Sequence, residues 1–436
     1  MGLSKQVELR KYHSAGDRCM NWAALERRVR TYIYPEWMEA WHIRRARRGL
    51  SQHRASPKSD QRRLFVDVSV IRSHDAGTGI QRVVRAVATQ LLESPPPGWT
   101  VQAVSATRKL PYHAVAWPSA DTAGNDTPIE FREGDFFFGL DFALDTVRIH
   151  RGQLADLKRR GGTLWFVMYD LLPLQRPDWF SDQIVIRFRK WLTVIASLAD
   201  GFYCISPPVE QELRKELAQR FQIADDYRTY TLPMGWDLAT RRPSTGIPDG
   251  FDTLLKQLAK HPTALMVGTL EPRKGHGDVL AAFNYLWQQG RDYNIVFVGR
   301  PGWKTEDLQT SLRRHPLNGK RLFWLDNASD EALSRLYAVC DGVLMASHAE
   351  GFGLPLLEAL GHGKPVLARD LPIFRLHAGN GIDYFKSDLP RDLLGQCIAN
   401  WLDATDDTLT IRQPVVVSSW SDTIHAIHSS LIDELT

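Results

Sequence analysis

No stretch of this 436-residue sequence stays apolar for the roughly 18 residues that a membrane-spanning helix needs. Its opening, MGLSKQVELRKYHS, lacks the apolar core of a secretory signal. Cysteine is scarce. Cys19, Cys204, Cys340 and Cys397 lie far apart and form no metal-ligand spacing. That argues against a disulfide framework and a thiolate metal site, and four reduced thiols in a cytoplasmic protein are expected. Internal repeats and low-complexity tracts are also missing. What is present is an ordinary globular balance, 43% hydrophobic and 24% charged. The length is enough for two α/β domains and too great for one core.

The net charge of +4 is unevenly spread. Residues 1–63 carry 15 Lys and Arg against 6 Asp and Glu, a net of +9. The rest carries 39 against 44, a net of −5. A basic arm therefore precedes a mildly acidic body.

From Leu64 the chain alternates between short apolar runs and helical patterns. LFVDVSV reads as a strand, and TGIQRVVRAVATQLL follows with Ile80, Val83, Val84, Val87 and Leu91 on one helical face. WTVQAVSA, DFFFGL, TLWFVMYDL, GFYCIS and YRTYTLPM continue the series. DLATRRPSTGIPDG breaks it, and a domain boundary is expected at 240/241. A second series runs from TALMVGTL through NIVFVG, RLFWLD and GVLMAS to PVLAR, the last clear strand. The expected parts are an arm (1–63), an N-terminal domain (64–240), a C-terminal domain (241–412) and a closing helix (413–436) that could pack back on the first domain. The fold class expected is α/β, with two doubly wound, Rossmann-like domains facing a central cleft. Ligands in such sheets bind at the carboxyl ends of the strands, so the informative residues should lie on strand-to-helix loops.

Three loops stand out. In AEGFGLPLLEAL, Glu350 and Glu358 flank a Gly-Phe-Gly loop between a strand and a helix opened by Pro355. Glycines admit close backbone approach, and a helix N-terminus attracts phosphate. Glu358 alone could simply complement the helix dipole. In VGTLEPRKGHGDV, Arg273 and Lys274 are adjacent cations, suited to a diphosphate clamp or simply solvated. In HDAGTGIQRVVR, Gly77 and Gly79 lead into a helix, short of a full dinucleotide fingerprint.

Together with LPMGWDL, VGRPGW and LYAVCDGVLMAS, these stretches resemble the retaining family-4 glycosyltransferases of the GT-B fold, over roughly residues 64–436. The resemblance implies a nucleotide-sugar donor held by the C-terminal domain and an acceptor held by the N-terminal one. It implies that Arg273 and Lys274 hold the donor diphosphate and that Glu350 contacts the transferred sugar. Gly351, Phe352, Gly353 and Leu354 would line sugar and phosphates, and Glu358 would bind the ribose. Arg300 and Leu325 would lie near the base, with Gly79 approaching the phosphates from the opposite domain. Many members carry a His before an Asp at the end of an N-domain strand; here Tyr169 precedes Asp170. Tyrosine is no easy base near neutral pH. Asp170 is therefore the candidate for contact with the sugar or acceptor, or else it caps the following turn.

No D-x-D sequence falls on a plausible site loop, and paired cations could do a metal's work, so no metal and no cofactor is expected. GTLEPRKGH and TGIQRVVR are similar to bacterial mannosyl- and rhamnosyltransferases of surface-polysaccharide synthesis, which points to GDP-mannose and a glycan or lipid-linked glycan acceptor. A nucleotide-sugar epimerase or an inactive glycan-binding scaffold subunit are the alternatives, separated by an acceptor-dependent transfer assay. In the arm, YIYPEWMEAWHIRRARRGL sets Trp37 and Trp41 among Arg44, Arg45, Arg47 and Arg48. That pattern suits peripheral attachment to an anionic membrane surface on its cytoplasmic side, or packing on the protein itself. Nucleic acid is not an expected partner, and oligomeric state is open.

Overall fold

Short runs rich in β-branched and aromatic residues form the strands. In the computed structural model they sort into two sheets. Residues 36–50, 62–118, 127–223, 227–236, 246–377, 381–404 and 417–433 are described.

The first sheet contains β1 (Arg62–Asp67), β2 (Trp99–Ser105), β3 (His113–Ala114), β4 (Phe136–Gly139), β5 (Thr163–Met168), β6 (Gly201–Cys204) and β7 (Arg228–Thr231). Its order is β3-β2-β1-β4-β5-β6-β7, parallel except at β2–β3. The second contains β8 (Thr263–Val267), β9 (Asn294–Val298), β10 (Leu322–Leu325), β11 (Gly342–Met345), β12 (Val366–Arg369) and β13 (Ile382–Phe385). Its order is β10-β9-β8-β11-β12-β13, parallel throughout. Parallel strands are covered on both faces, which explains the unbroken apolar runs. Phe136, Phe137, Phe138, Trp165 and Phe202 are buried in one core. In the second unit one core lies on each side of the sheet. Strand order reverses between β1 and β4 and between β8 and β11, and these are the two switch points.

Two short strands, β3 and β13, escape the sequence pattern, because two to four residues carry too little periodicity. Strand β1 starts at Arg62, ahead of the expected Leu64, and Arg63 pairs with buried Asp135 at 2.5 Å. LFVDVSV stops being a strand at Asp67. The Asp67 carboxylate accepts the Ser69 N–H at 2.9 Å, and Asp141 accepts the Val70 and Ile71 N–H groups at 2.7 and 2.8 Å. These bonds turn Ser69–Ser73 into a helical turn. The boundaries at 240/241 and 412/413 lie outside the described residues.

Seven helices matter below: α1 (Glu36–Leu50), α2 (Gly79–Glu93), α3 (Asp182–Leu198), α4 (His276–Gln288), α5 (Asp330–Val339), α6 (Leu354–Gly361) and α7 (Trp420–Asp433). Helix α7 returns to the first unit, where Trp420, Ile424, Ile427 and Leu431 join its core. Ser430 Oγ lies 2.6 Å from Tyr203 Oη. Helix α1 docks near the end of α3. Ile43 is buried, and Arg47 Nη1 donates to the Ala199 carbonyl at 2.7 Å with its guanidinium 4.2 Å over the Tyr227 ring. Trp41 points outward at 50% exposure, with Arg45 over its ring. The side chain of Trp37 lies outside the described residues.

Candidate active site

The switch point of the second sheet brings two loops together. After β8, Glu271-Pro272 leads into a tight turn over Pro272–Lys274, which presents Arg273 and Lys274 just before α4. After β11 comes the loop from Ser347 to Gly353. The His348 N–H donates to the Arg273 carbonyl at 2.7 Å, closing the loops on each other. Glu350 sits between the two cations. Its Oε1 accepts from Lys274 Nζ at 2.5 Å and Ser347 Oγ at 2.6 Å, and its Oε2 accepts from Arg273 Nη1 at 2.8 Å. Arg273 Nε also donates to Glu271 at 2.7 Å. Burial alone would raise the Glu350 pKa, but the Lys274 and Arg273 charges outweigh it and hold the carboxyl at about 2. Burial opposes the Arg273 charge, yet Glu350 and Glu271 push its pKa above the ordinary value.

Asp170 follows β5 and reaches this cluster from the other unit. Burial raises its pKa, and the Arg273 charge offsets only part of that. Its Oδ1 accepts the Leu172 N–H at 3.2 Å, so it also caps the turn. Tyr169 points the other way. Its hydroxyl donates to the Leu140 carbonyl at 2.7 Å inside the core, and burial pushes the phenol well above its usual range. The residue standing where the resemblance leads one to expect a histidine is thus a core residue. The backbone of Tyr169, not its ring, meets the cleft: a Cβ added to Gly351 would lie 2.2 Å from the Tyr169 carbonyl oxygen. Ser206 Oγ donates to the Gly351 carbonyl at 2.7 Å beside it.

Gly353, at φ +95°, turns the chain into α6. That conformation suits glycine, which has no Cβ to clash. Leu354 faces the start of α2 across the cleft, where a Cβ added to Gly79 would stand 3.5 Å from Leu354 Cδ1. Two helix N-termini therefore converge on one gap. Phe352 meets the His377 ring edge-on at 5.3 Å and packs on cores of both units. Leu325 ends β10, and Arg300 follows the end of β9 by two residues. The Leu325 carbonyl accepts the Gly299 N–H at 3.0 Å, and the exposed Arg300 accepts the Leu270 N–H at 3.0 Å.

Glu358 joins a separate network. It is 2% exposed, with Arg82 Nη1 at 2.7 Å from Oε1 and the Tyr337 hydroxyl at 2.9 Å from Oε2. Arg82 Nη2 also reaches Asp330 at 3.1 Å. The two acids of the glycine loop thus serve two different places. Sequence reasoning passed over Arg82, Ser206, Ser347 and Glu271. Arg82 had left a faint signal, a cation one turn into α2 and off its apolar stripe. A second bridge was also missed, in which Trp303 Nε1 donates to the Trp179 carbonyl at 2.7 Å and Lys304 Nζ to the Asp178 carbonyl at 2.6 Å. Among the described residues no group of three His, Cys, Asp or Glu side chains could hold a metal ion, and no helix is long and apolar enough to cross a membrane.

Residues 254–384 match the family described as glycosyl transferases, group 1. That match runs through the second sheet from β8 to β12. The two sheets with their helices share the GT-B fold of solved glycosyltransferases. The Anabaena HepE structure in complex with UDP and glucose is similar over 86% of this chain and 100% of that one, at 18% identity and TM-score 0.56. WaaG, a glycosyltransferase of lipopolysaccharide biosynthesis, is similar over 86% and 98%, at 13% identity and TM-score 0.53. In sequence, the Escherichia coli serotype-specific mannosyltransferase WbdA is 39% identical over 80% of this chain. This chain spans 42% of that relative's length.

Proposed function

We propose that this chain is a retaining, metal-independent mannosyltransferase. It would move mannose from GDP-mannose to a glycan or lipid-linked glycan acceptor in bacterial surface-polysaccharide synthesis. The observation that carries the reading is the Arg273–Lys274–Glu350 cluster at the switch point of the glycosyltransferase unit, facing Asp170 of the other unit. The mannosyl choice draws on WbdA, a mannosyltransferase by name. As the nucleoside diphosphate departs, negative charge grows on its phosphates. Arg273, Lys274 and the N-termini of α6 and α2 offset it, at about 3 kcal/mol for each well-placed donor. Glu350 keeps the two cations fixed before the donor arrives and turns toward the sugar. Front-face attack follows for a retaining enzyme, and the leaving phosphate oxygen takes the acceptor proton. Asp170 orients the acceptor or sugar hydroxyl, and Arg300 and Leu325 border the base. The test is transfer of labelled mannose from GDP-mannose to lipid-linked oligosaccharide, with UDP and dTDP sugars as controls and EDTA added. Donor consumption without acceptor, or transfer abolished by EDTA and restored by a divalent ion, would overturn it.

The arm fits reversible attachment to an anionic bilayer. Its inner face is docked on the N-terminal unit, but Trp41, Arg45 and Arg48 point outward. Basic residues at such a surface contribute about 1 kcal/mol each. Full-length protein should float with anionic liposomes at low salt. Protein with Trp41, Arg45 and Arg48 all changed to Ser should stay at the bottom, and equal flotation of the two removes the arm as anchor.

A further inference from the structure

Arg82 lies in the first turn of α2, beside a buried stripe of Val83, Val84 and Val87. Its guanidinium leaves its own unit and forks into the other, to Glu358 at 2.7 Å and Asp330 at 3.1 Å. Glu358 keeps 2% of its side chain exposed, and the Tyr337 hydroxyl takes its second oxygen. A carboxylate offers about four acceptor sites. Two on Glu358 are used here, and two remain. If the units parted, Glu358 would keep Tyr337 but exchange the charge-assisted bond from Arg82 for water, and Asp330 would lose its bond to the same guanidinium. The fork therefore favours the closed cleft. It also fixes the rotation of the Glu358 carboxylate.

We propose that Arg82 is a positioning residue that couples closure of the two units to ribose recognition. It fastens the cleft and presents the remaining lone pairs of Glu358 to the ribose hydroxyls of a nucleoside diphosphate. Bound nucleotide leaves when this fork opens. The ribose half rests on the glycosyltransferase reading above; the closure half does not. A lysine at this position can reach one acid as a point charge but cannot span both, because the planar fork is lost.

The test uses the full chain as wild type, Arg82→Met, Arg82→Lys and Asp330→Asn. X-ray scattering without ligand reads closure, and stopped-flow release of a fluorescent GDP analogue reads dissociation. Arg82→Met should enlarge the radius of gyration and speed dissociation at least about tenfold. Arg82→Lys and Asp330→Asn should each speed it about threefold. A purely structural Arg82 would lower the melting temperature without moving the dissociation rate. If wild type binds the analogue while Arg82→Met keeps wild-type scattering and a dissociation rate within twofold, this proposal alone is overturned. If wild type binds no nucleoside diphosphate, the glycosyltransferase reading falls, and the ribose coupling falls with it.

Discussion

Replacing Glu350 with Gln removes one negative charge between two partly buried cations. Glu350 is 6% exposed and accepts from Lys274, Arg273 and Ser347. Its pKa falls from an ordinary 4.5 to about 2, because the two cations outweigh the burial that would raise it. At about 1.4 kcal/mol per pH unit, that is about 3 kcal/mol of stability. The sign follows from the direction: a depressed carboxyl contributes fully above about pH 4.5, and the contribution is lost as pH falls toward 2. Urea denaturation at pH 7 should therefore show the variant about 3 kcal/mol weaker, with the gap closing in acid. Arg273 keeps Glu271, so the turn survives. Free GDP, itself an anion, still meets both cations, and its dissociation constant should stay within about threefold. Turnover should fall about 100-fold, the usual cost of losing one preorganised electrostatic group. Glu358→Gln should do the opposite, weakening GDP about tenfold with a smaller loss of turnover at saturation. The two phenotypes exchanged would mean that the loop runs in the other direction along the donor. Equal stability of wild type and Glu350→Gln at pH 7 would refute the charge argument itself.

Lys274→Ala should weaken GDP binding by calorimetry about 30-fold, because a phosphate loses a partly buried point charge; unchanged affinity in a folded variant would remove it from the clamp. Tyr169→Phe should cost about 1 kcal/mol of stability, for the lost bond to the Leu140 carbonyl, and leave turnover within twofold; a large loss of turnover would restore this corner to the chemistry. Asp67 is fully buried, and burial followed by the nearby Asp141 charge raises its pKa from 3.8 to about 7. A raised carboxyl contributes below about pH 4 and loses that contribution as pH rises to about 7. The stability difference between wild type and Asp67→Asn should therefore shift against wild type by a few kcal/mol, on the order of 1.4 per pH unit, across that window; a flat difference would show that Asp67 titrates normally.

Two parallel sheets were legible in the sequence because a strand covered on both faces must be apolar throughout, and the runs from LFVDV to PVLAR say so. Glycine and proline at fixed places marked the strand-to-helix loops, so Arg273, Lys274 and Glu350 could be chosen without coordinates. Their meeting was not legible. It depends on β8 and β11 being sheet neighbours although Lys274 and Glu350 lie 76 positions apart in the chain, and only the sheet order makes them so. Tyr169 illustrates the same limit. Its neighbour Asp170 faces the cleft while the ring turns inward, because successive side chains at a strand end point to opposite sides. The fate of Glu358 was decided further away still. Its partner Arg82 lies 276 positions earlier in the chain and on the other unit. A contact of that kind is set by how two cores dock, and local patterning carries no trace of it. The arm divided in the same way: composition showed cations and tryptophans, while the tertiary structure decided that Ile43 and Arg47 turn inward and Trp41 outward.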